Sequence, residues 1–459
     1  MKKKAILICT AAVLVAFPWR ARASERTIAD TLHLSLDSCI AIALSQNPTV
    51  KVANLEIKRV DYSKKETLAQ LLPSISFGAT YNRTLAKQTM YMNMGGQGDS
   101  QSSSGRTGIK VGRDNSYSMG FSAAMPLIAP QLWKTLDLSD SQILESVEKA
   151  RNSRLELINQ VKNAYYALLL AEESHNVILE SYNMAKFTAD LYEKQHSLGS
   201  ASQYDVLRTQ VALKNVEPEL TQSVIAIRRA ALQLQILMGL DSELPVKPSD
   251  TLAKYRQTMY ADALSLSHDI SDNPSLRLID VQTRQLRDAL KVKKMAWYPT
   301  LSLSANYNWT SMSDGSPFKN FLWSPYSMVG LTLSVPLFQG GSRHSAIKQA
   351  QVQLLEMNLQ HENLVRSVNM QVDLAIDNIN LNVKQIESCS ESVKQAATAH
   401  SIARQSFEIG AASYLDLRDA ELSLTQSRLA YNQAVYNYLV ARADLELLLG
   451  KDLRSQSSD

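Results

Sequence analysis

Cysteine is nearly absent: three occur in 459 residues, at positions 9, 39 and 389. Thiols so few and so far apart make no disulfide framework. A single Cys39–Cys389 bridge is the most they allow, and two ordinary buried thiols is the reading their residue type favours. Helix breakers are missing from two long stretches. Gln131–Leu198 and Ser342–Ile409 each run 68 residues without glycine or proline. Long apolar runs are missing as well. The apolar stretch 5–17 is too short for an ordinary membrane-spanning helix and no other stretch reaches about 18 residues, so a mature chain that enters a membrane must do so as a β-barrel. Signatures of catalysis are also lacking. None of the seven histidines stands in a His-Glu-x-x-His pair, and Gly95-Gly96-Gln97-Gly98 has neither the lysine nor the strand-to-helix setting of a phosphate loop. No nucleophile elbow occurs. The chain reads as a non-enzyme with no cofactor and no metal site.

What is present begins with a targeting segment. Lys2, Lys3 and Lys4 precede an apolar stretch from Ala5 to Phe17, and Ala21-Arg22-Ala23 supplies a small-x-small cleavage pattern. This predicts a signal peptide over 1–23 and a mature end at Ser24. The segment carries five basic residues and no acid. Without it the net charge falls from +4 to −1, so the basic balance implies no nucleic-acid partner.

The mature chain contains one plan twice. Asn47-Pro48-Thr49 and Asn273-Pro274-Ser275 open segments in which Pro73 falls on Pro299 and Tyr81-Asn82 on Tyr307-Asn308, at a constant offset of 226. Ala124-Met125-Pro126-Leu127 matches Ser334-Val335-Pro336-Leu337 at offset 210. Leu198-Gly199 with Asp205 matches Ile409-Gly410 with Asp416, and Gly239 matches Gly450, at offset 211. The predicted units are 24–240 and 241–459. Each holds a helix, two strands and a long helical hairpin.

Strands are predicted near 74–82, 117–126, 300–309 and 327–336, where apolar and small or polar residues alternate. Such alternation suits a soluble sheet with one wet face or a membrane strand. The signal peptide and the neighbouring aromatics (Tyr117, Trp297, Tyr298, Trp309, Trp323, Tyr326) favour a barrel with an aromatic girdle. The Gly- and Ser-rich connections 83–116 and 310–325 read as its solvated outer loops. Met90, Met92 and Met94 lie in the first of these. Thioethers suit Cu(I), but in a solvated loop they read as an adaptable apolar surface.

The hairpins are predicted at 131–238 and 342–449. Each 68-residue arm would reach about 100 Å. In the second, residues 347, 350, 354, 357, 361, 364, 368, 372, 375, 379, 383, 386 and 389 form one stripe at three- and four-residue spacing, as in coiled coils. His361 reads there as a tolerated seam residue. Gly199 and Gly410 reverse the chain in left-handed turns. Pro218 predicts a kink or non-helical step near Glu217. Four strands cannot close a membrane barrel, since the smallest have about eight. The chain must therefore oligomerise, by a number that strand counting leaves open.

The order of elements, the duplication, the stretch from Leu36-Asp37-Ser38-Cys39 to Asn47-Pro48, and Pro336-Leu337-Phe338-Gln339-Gly340-Gly341-Ser342-Arg343 together resemble the TolC outer-membrane efflux family. That resemblance implies an α+β membrane protein, a homotrimer with a twelve-stranded outer-membrane barrel continuous with a helical coiled-coil tunnel in the periplasm. It implies a periplasmic adaptor and an inner-membrane pump of RND or ABC type as partners. The function implied is a passive exit duct for drugs and toxic small molecules. Protein secretion of type I or metal efflux are alternatives within the family, and a structural coiled-coil envelope protein is the alternative outside it. By the same resemblance Leu198, Gly199, Ser200, Ala201 and Ile409, Gly410, Ala411, Ala412 form adaptor-contacting tips. Asp416 and Asp419 form an acidic entrance, with Asp205 as a gate-bonding position. Arg208 and Ala412 depart from the family's pattern.

Overall fold

Asparagine before proline is a helix-start signal, because the side-chain oxygen caps the free amides and proline needs none. The computed structural model of the chain, which describes residues 32–92, 107–241, 245–256, 268–318 and 322–450, uses it twice. The signal segment 1–23, Ser24 and Met94 lie outside the described residues. Helices α1 (Leu36–Gln46) and α2 (Pro48–Ala69) meet at Asn47. Its Oδ1 accepts from the Thr49 amide at 2.7 Å, and its Nδ2 donates to the Leu237 carbonyl at 2.8 Å. Asn273 repeats this ahead of α6 (Pro274–Met295), accepting from Ser275 and Leu276 and donating to the Leu448 carbonyl at 2.6 Å. Both asparagines are buried. Each latches the start of a short helix to the far end of a long one. Asn273→Ala is expected to lower stability by about 1–3 kcal/mol, from the lost cap and the orphaned carbonyl. Thermal melting of the purified protein would measure it, and an unchanged midpoint would refute the latch.

The chain continues from α2 into strand β2 (Ser74–Arg83) and a small pair, β3 (Gln88–Met92) with β4 (Thr107–Val111). The described parts of 83–116 thus include a strand pair, in which Met90 sits exposed opposite Ile109. Strand β5 (Asn115–Ile128) follows. The long hairpin α3 (Pro130–Ser197) and α4 (Gln203–Met238) comes next. A second passage supplies β7 (Thr300–Ser313), β8 (Ser324–Ser334) and the hairpin α7 (Ser342–Glu408) and α8 (Tyr414–Leu449). Between the passages, β6 (Val246–Pro248) pairs in parallel with β1 (Leu32–Leu34), and α5 (Leu252–Arg256) packs on α3 and α8.

One antiparallel sheet in the order β2-β5-β7-β8 joins the two copies. Its register sorts the side chains. Residues opposite one another share a face, because side chains alternate along a strand. Phe77, Phe121 and Tyr307 share one face with Leu303, Leu331, Ala305 and Val329. Ser76, Ser122 and Asn306, with Gly78, Gly120 and Asn308, occupy the other. One face is therefore apolar and the other small and polar. Tyr326 and Tyr117 depart from the expected girdle. Tyr326 pairs with Asn308 on the polar face, and Tyr117 is buried against Tyr81 and Phe318. Trp297, Tyr298 and Trp323 are exposed.

The stripe on α7 is the side that packs. Val368, Val372, Ile379 and Ile386 are buried, whereas Leu355, Leu374 and Leu381 point outward. His361 faces α6, with its Nε2 3.2 Å from an Asp280 carboxylate oxygen. Cys39 is buried, Cys389 half-buried, and both are free thiols. Helix α4 continues through Pro218, so the chain takes no non-helical step near Glu217. Pro218 lies on the exposed side, where the carbonyl it leaves unpaired stays open to water. Lys214 and Glu217 pair across the same turn at 2.9 Å.

The deepest core lies where α1, β1 and β6 wrap α3, α4 and α8. Val161, Tyr165, Leu168, Leu234, Met238, Tyr438, Leu445 and Leu449 are almost wholly buried there. Two polar constructions thread it. Lys162 on α3 meets Glu446 on α8 at 2.6 Å, and Arg442 approaches Glu446 at 3.3 Å. Asp250 accepts from Lys254 and from the hydroxyls of Tyr165 and Tyr255, which pins the β6–α5 segment onto α3.

Candidate functional site at the hairpin tips

Both hairpins reverse in the same way. The Gly199 amide bonds to the His196 carbonyl at 2.9 Å and the Ser200 amide to Gln195 at 2.8 Å, with Gly199 at φ +73°. In the second tip Gly410 bonds to Phe407 at 3.0 Å and Ala411 to Ser406 at 2.8 Å, with Gly410 at φ +75°. This left-handed ending satisfies the last carbonyls of each long helix. It leaves Leu198 and Ile409 projecting, 82% and 81% exposed, as twin apolar points. Ala201 and Ala412, each three residues on, are half-buried.

The return helices start from serine caps, and here the candidate acids divide. Ser413 Oγ accepts from the Asp416 amide at 3.3 Å, while the Asp416 carboxylate accepts from the Ser413 amide at 3.0 Å and hydroxyl at 2.7 Å. The arrangement is a reciprocal capping box. Those bonds from Ser413 hold the Asp416 carboxyl below the usual range. Asp205 does similar work in the first tip, accepting from the Ser202 hydroxyl at 2.6 Å. Asp419, one turn further along α8, is exposed and makes no bond to the described residues. The structure thus brings Asp416 and Asp419 onto one side of one helix, as three-residue spacing requires. It ties the first into the backbone and leaves the second open to solvent. Asp205 lies on the other hairpin.

Arg208, which stands where the first copy would carry the counterpart of Asp419, is used otherwise. Its guanidinium lies 5.3 Å from the centre of the Tyr414 ring. Tyr192 of α3 meets Tyr414 and Phe407 at 5.6 and 6.3 Å. This aromatic knot ties the two tips of one chain together. Burial raises the hydroxyl pKa of both Tyr192 and Tyr414. Further up the same seam, His400 and Glu421 approach to 3.9 Å without a hydrogen bond, half-buried. Burial lowers the pKa of His400 and raises that of Glu421. The sequence reading missed Tyr192, Phe407, Tyr414, His400 and Glu421. Their one sequence signal is asymmetry: Tyr414 falls on Gln203 of the first copy.

Among the described residues no group of His, Cys, Asp or Glu is placed to hold a metal ion. Among the same residues no helix is long and apolar enough to cross a membrane. What the tips offer chemically is an exposed carboxylate behind two apolar points. That surface suits docking and charge selection.

A family model described as outer membrane efflux protein matches residues 39–240 and 266–451. The chain is 23% identical over 342 residues to the outer membrane protein TolC of Vibrio cholerae, covering 72% of this chain and 76% of that one. It is 24% identical over 426 residues to the alkaline protease secretion protein AprF of Pseudomonas aeruginosa, covering 92% and 85%. Among solved structures, the outer membrane channel CmeC of Campylobacter jejuni superposes with a TM-score of 0.69 at 18% identity, covering 90% of this chain and 85% of that one. At that identity the likeness speaks for the fold.

Proposed function

Because the chain belongs to the outer membrane efflux protein family, we propose that three copies form one passive exit duct serving a tripartite pump. Their sheets would close into a barrel in the outer membrane and their hairpins into a periplasmic tunnel. The observation that carries this reading is the two-faced sheet with open edges on β2 and β8. Lipid leaves no backbone donor or acceptor unsatisfied, so those edges must be covered by other copies. The apolar face then meets lipid and the serine-, glycine- and asparagine-rich face lines the water path. The number three follows the family resemblance. Heat-modifiable trimers in the outer-membrane fraction would support it, and a water-soluble periplasmic rod would refute it.

At the far end, the projecting Leu198 and Ile409 with their turns form the contact for a periplasmic adaptor, itself joined to an inner-membrane pump of RND or ABC type. Asp419 from each copy lines the entrance, and Asp416 shapes the helix behind it. A ring of carboxylates favours cations. Asp419→Ala is expected to weaken block by trivalent cations at least about tenfold in single-channel recordings. Asp416→Ala should change block less and fray the start of α8. Equal block in wild type and Asp419→Ala would remove the residue from the entrance. Small molecules are the proposed cargo. Protein secretion is the second reading, supported by the similarity to AprF, whose name is that of a protease secretion protein.

A further inference from the structure

The two copies differ in charge where tunnel meets barrel. In the first copy the lysines there are neutralised: Lys65 pairs with Asp61 at 2.7 Å, Lys134 with Asp137 at 2.8 Å, and Lys64 with Asp140. In the second copy one such pair remains, Lys291 with Asp288 at 2.8 Å, and the other acids are replaced. Ile347 and Ala350 stand at the positions of Asp137 and Asp140, and Lys293 and Lys294 at those of Thr67 and Leu68. No Asp or Glu occurs from residue 315 to 355, or between Asp288 and Asp314. Lys293, Lys294 and Lys348 are exposed and form no ion pair with the described residues.

The contacts of Arg343 bring the two helix ends that carry these cations together. The Arg343 guanidinium lies 5.4 Å from the centre of the Trp297 ring and donates to the Pro336 carbonyl at 2.9 Å. The end of α6 and the start of α7 therefore sit side by side at the foot of β8. Lys293 lies one turn before Trp297, on the same side. Immediately above, Leu331, Leu333, Val335, Leu337 and Phe338 are all more than half exposed. A band of bare apolar side chains, then exposed Trp297 and Tyr298, then unpaired cations is the order of chemistry met on leaving a bilayer: hydrocarbon, interface, phosphate.

We infer that Lys293, Lys294, Arg343 and Lys348 form a basic collar that binds the anionic headgroups of phospholipids in the leaflet facing the tunnel. The inference rests on the outer-membrane barrel proposed above. Each copy contributes one half-collar, from its second repeat alone, so the trimer would hold anionic lipid at three places rather than evenly around its rim.

The test uses the detergent-solubilised oligomer, delipidated and titrated with phosphatidylglycerol or phosphatidylethanolamine, with retained lipid read by native mass spectrometry. Wild type should retain phosphatidylglycerol preferentially. Lys293→Gln with Lys294→Gln and Lys348→Gln should reduce that preference about tenfold or more, because each lysine near an anionic surface contributes roughly fivefold. The control Lys64→Gln with Lys65→Gln, which alters the paired lysines of the first copy, should keep it. Retention of both lipids without preference in wild type, or full preference in the triple variant, overturns the collar alone. A protein that retains neither lipid overturns the barrel reading and the collar with it.

Discussion

Gly450→Ala is expected to abolish the heat-stable oligomer, and Gly239→Ala, its counterpart, only to weaken it. Both glycines end a return helix in the left-handed region, at φ +65° and +70°. An L-residue there costs about 1–2 kcal/mol at either site. The difference lies in what a methyl group would meet. At Gly239 it would stand 3.1 Å from the Gln46 carbonyl oxygen, a contact the neighbour can relieve by a small shift. At Gly450 it would overlap the Asp272 carbonyl oxygen and crowd Pro274 Cδ at 3.3 Å. The same junction holds the Asn273 latch, and Arg151 donates to the Gly450 carbonyl at 3.1 Å. Semi-native electrophoresis across a temperature series would rank the two variants. Equal melting of both would show that the Gly450 junction is no tighter than its counterpart.

The second large effect belongs to the buried ion pair. Lys162 and Glu446 are 4% and 8% exposed and join the first hairpin to the second. Removing one partner strands a charge away from water, at a cost of about 3–5 kcal/mol. Glu446→Ala removes the carboxylate that both Lys162 and Arg442 approach and should be the more damaging of the two single changes. Lys162→Met leaves Glu446 with Arg442 at 3.3 Å and should cost less. The double change Lys162→Met with Glu446→Leu should recover most of the loss, since packed apolar residues replace a buried pair at little cost. Chemical denaturation of the four proteins measures the coupling. A double variant no better than Glu446→Ala alone would mean that this seam depends on the pair itself.

Much of the fold was legible because its signals are periodic. Alternation along the strands, and the three-four stripe on α7 from Ile347 to Cys389, are one-dimensional records of which side packs. The constant offset of the Asn-Pro motif exposed the duplication. The latches at Asn47 and Asn273 were not legible, because their carbonyl partners, on Leu237 and Leu448, lie about two hundred residues away. That α4 stays helical through Pro218 was not legible, because local chemistry counts a missing donor but not its position on a solvated side of a helix packed against α3. At the tips, the pattern of acids named Asp416 and Asp419 together. Only side-chain geometry separates a carboxylate spent on Ser413 from one left free. The aromatic knot escaped notice because Tyr192, Phe407 and Tyr414 come from three different helices, and each alone reads as an ordinary apolar residue.

The sheet order β2-β5-β7-β8 carries a last consequence, one of polarity. Its strands alternate up and down, so the two free edges run in opposite senses. A neighbour that pairs its β2 with the free side of β8 continues the alternation and keeps its hairpins on the same side of the membrane. Two β2 edges could pair antiparallel only by turning one chain over, which would send its hairpins to the opposite side. An assembly closed by such joints runs head to tail around a single rotation axis. Every joint is the same joint, and a defect in either edge disables all of them at once.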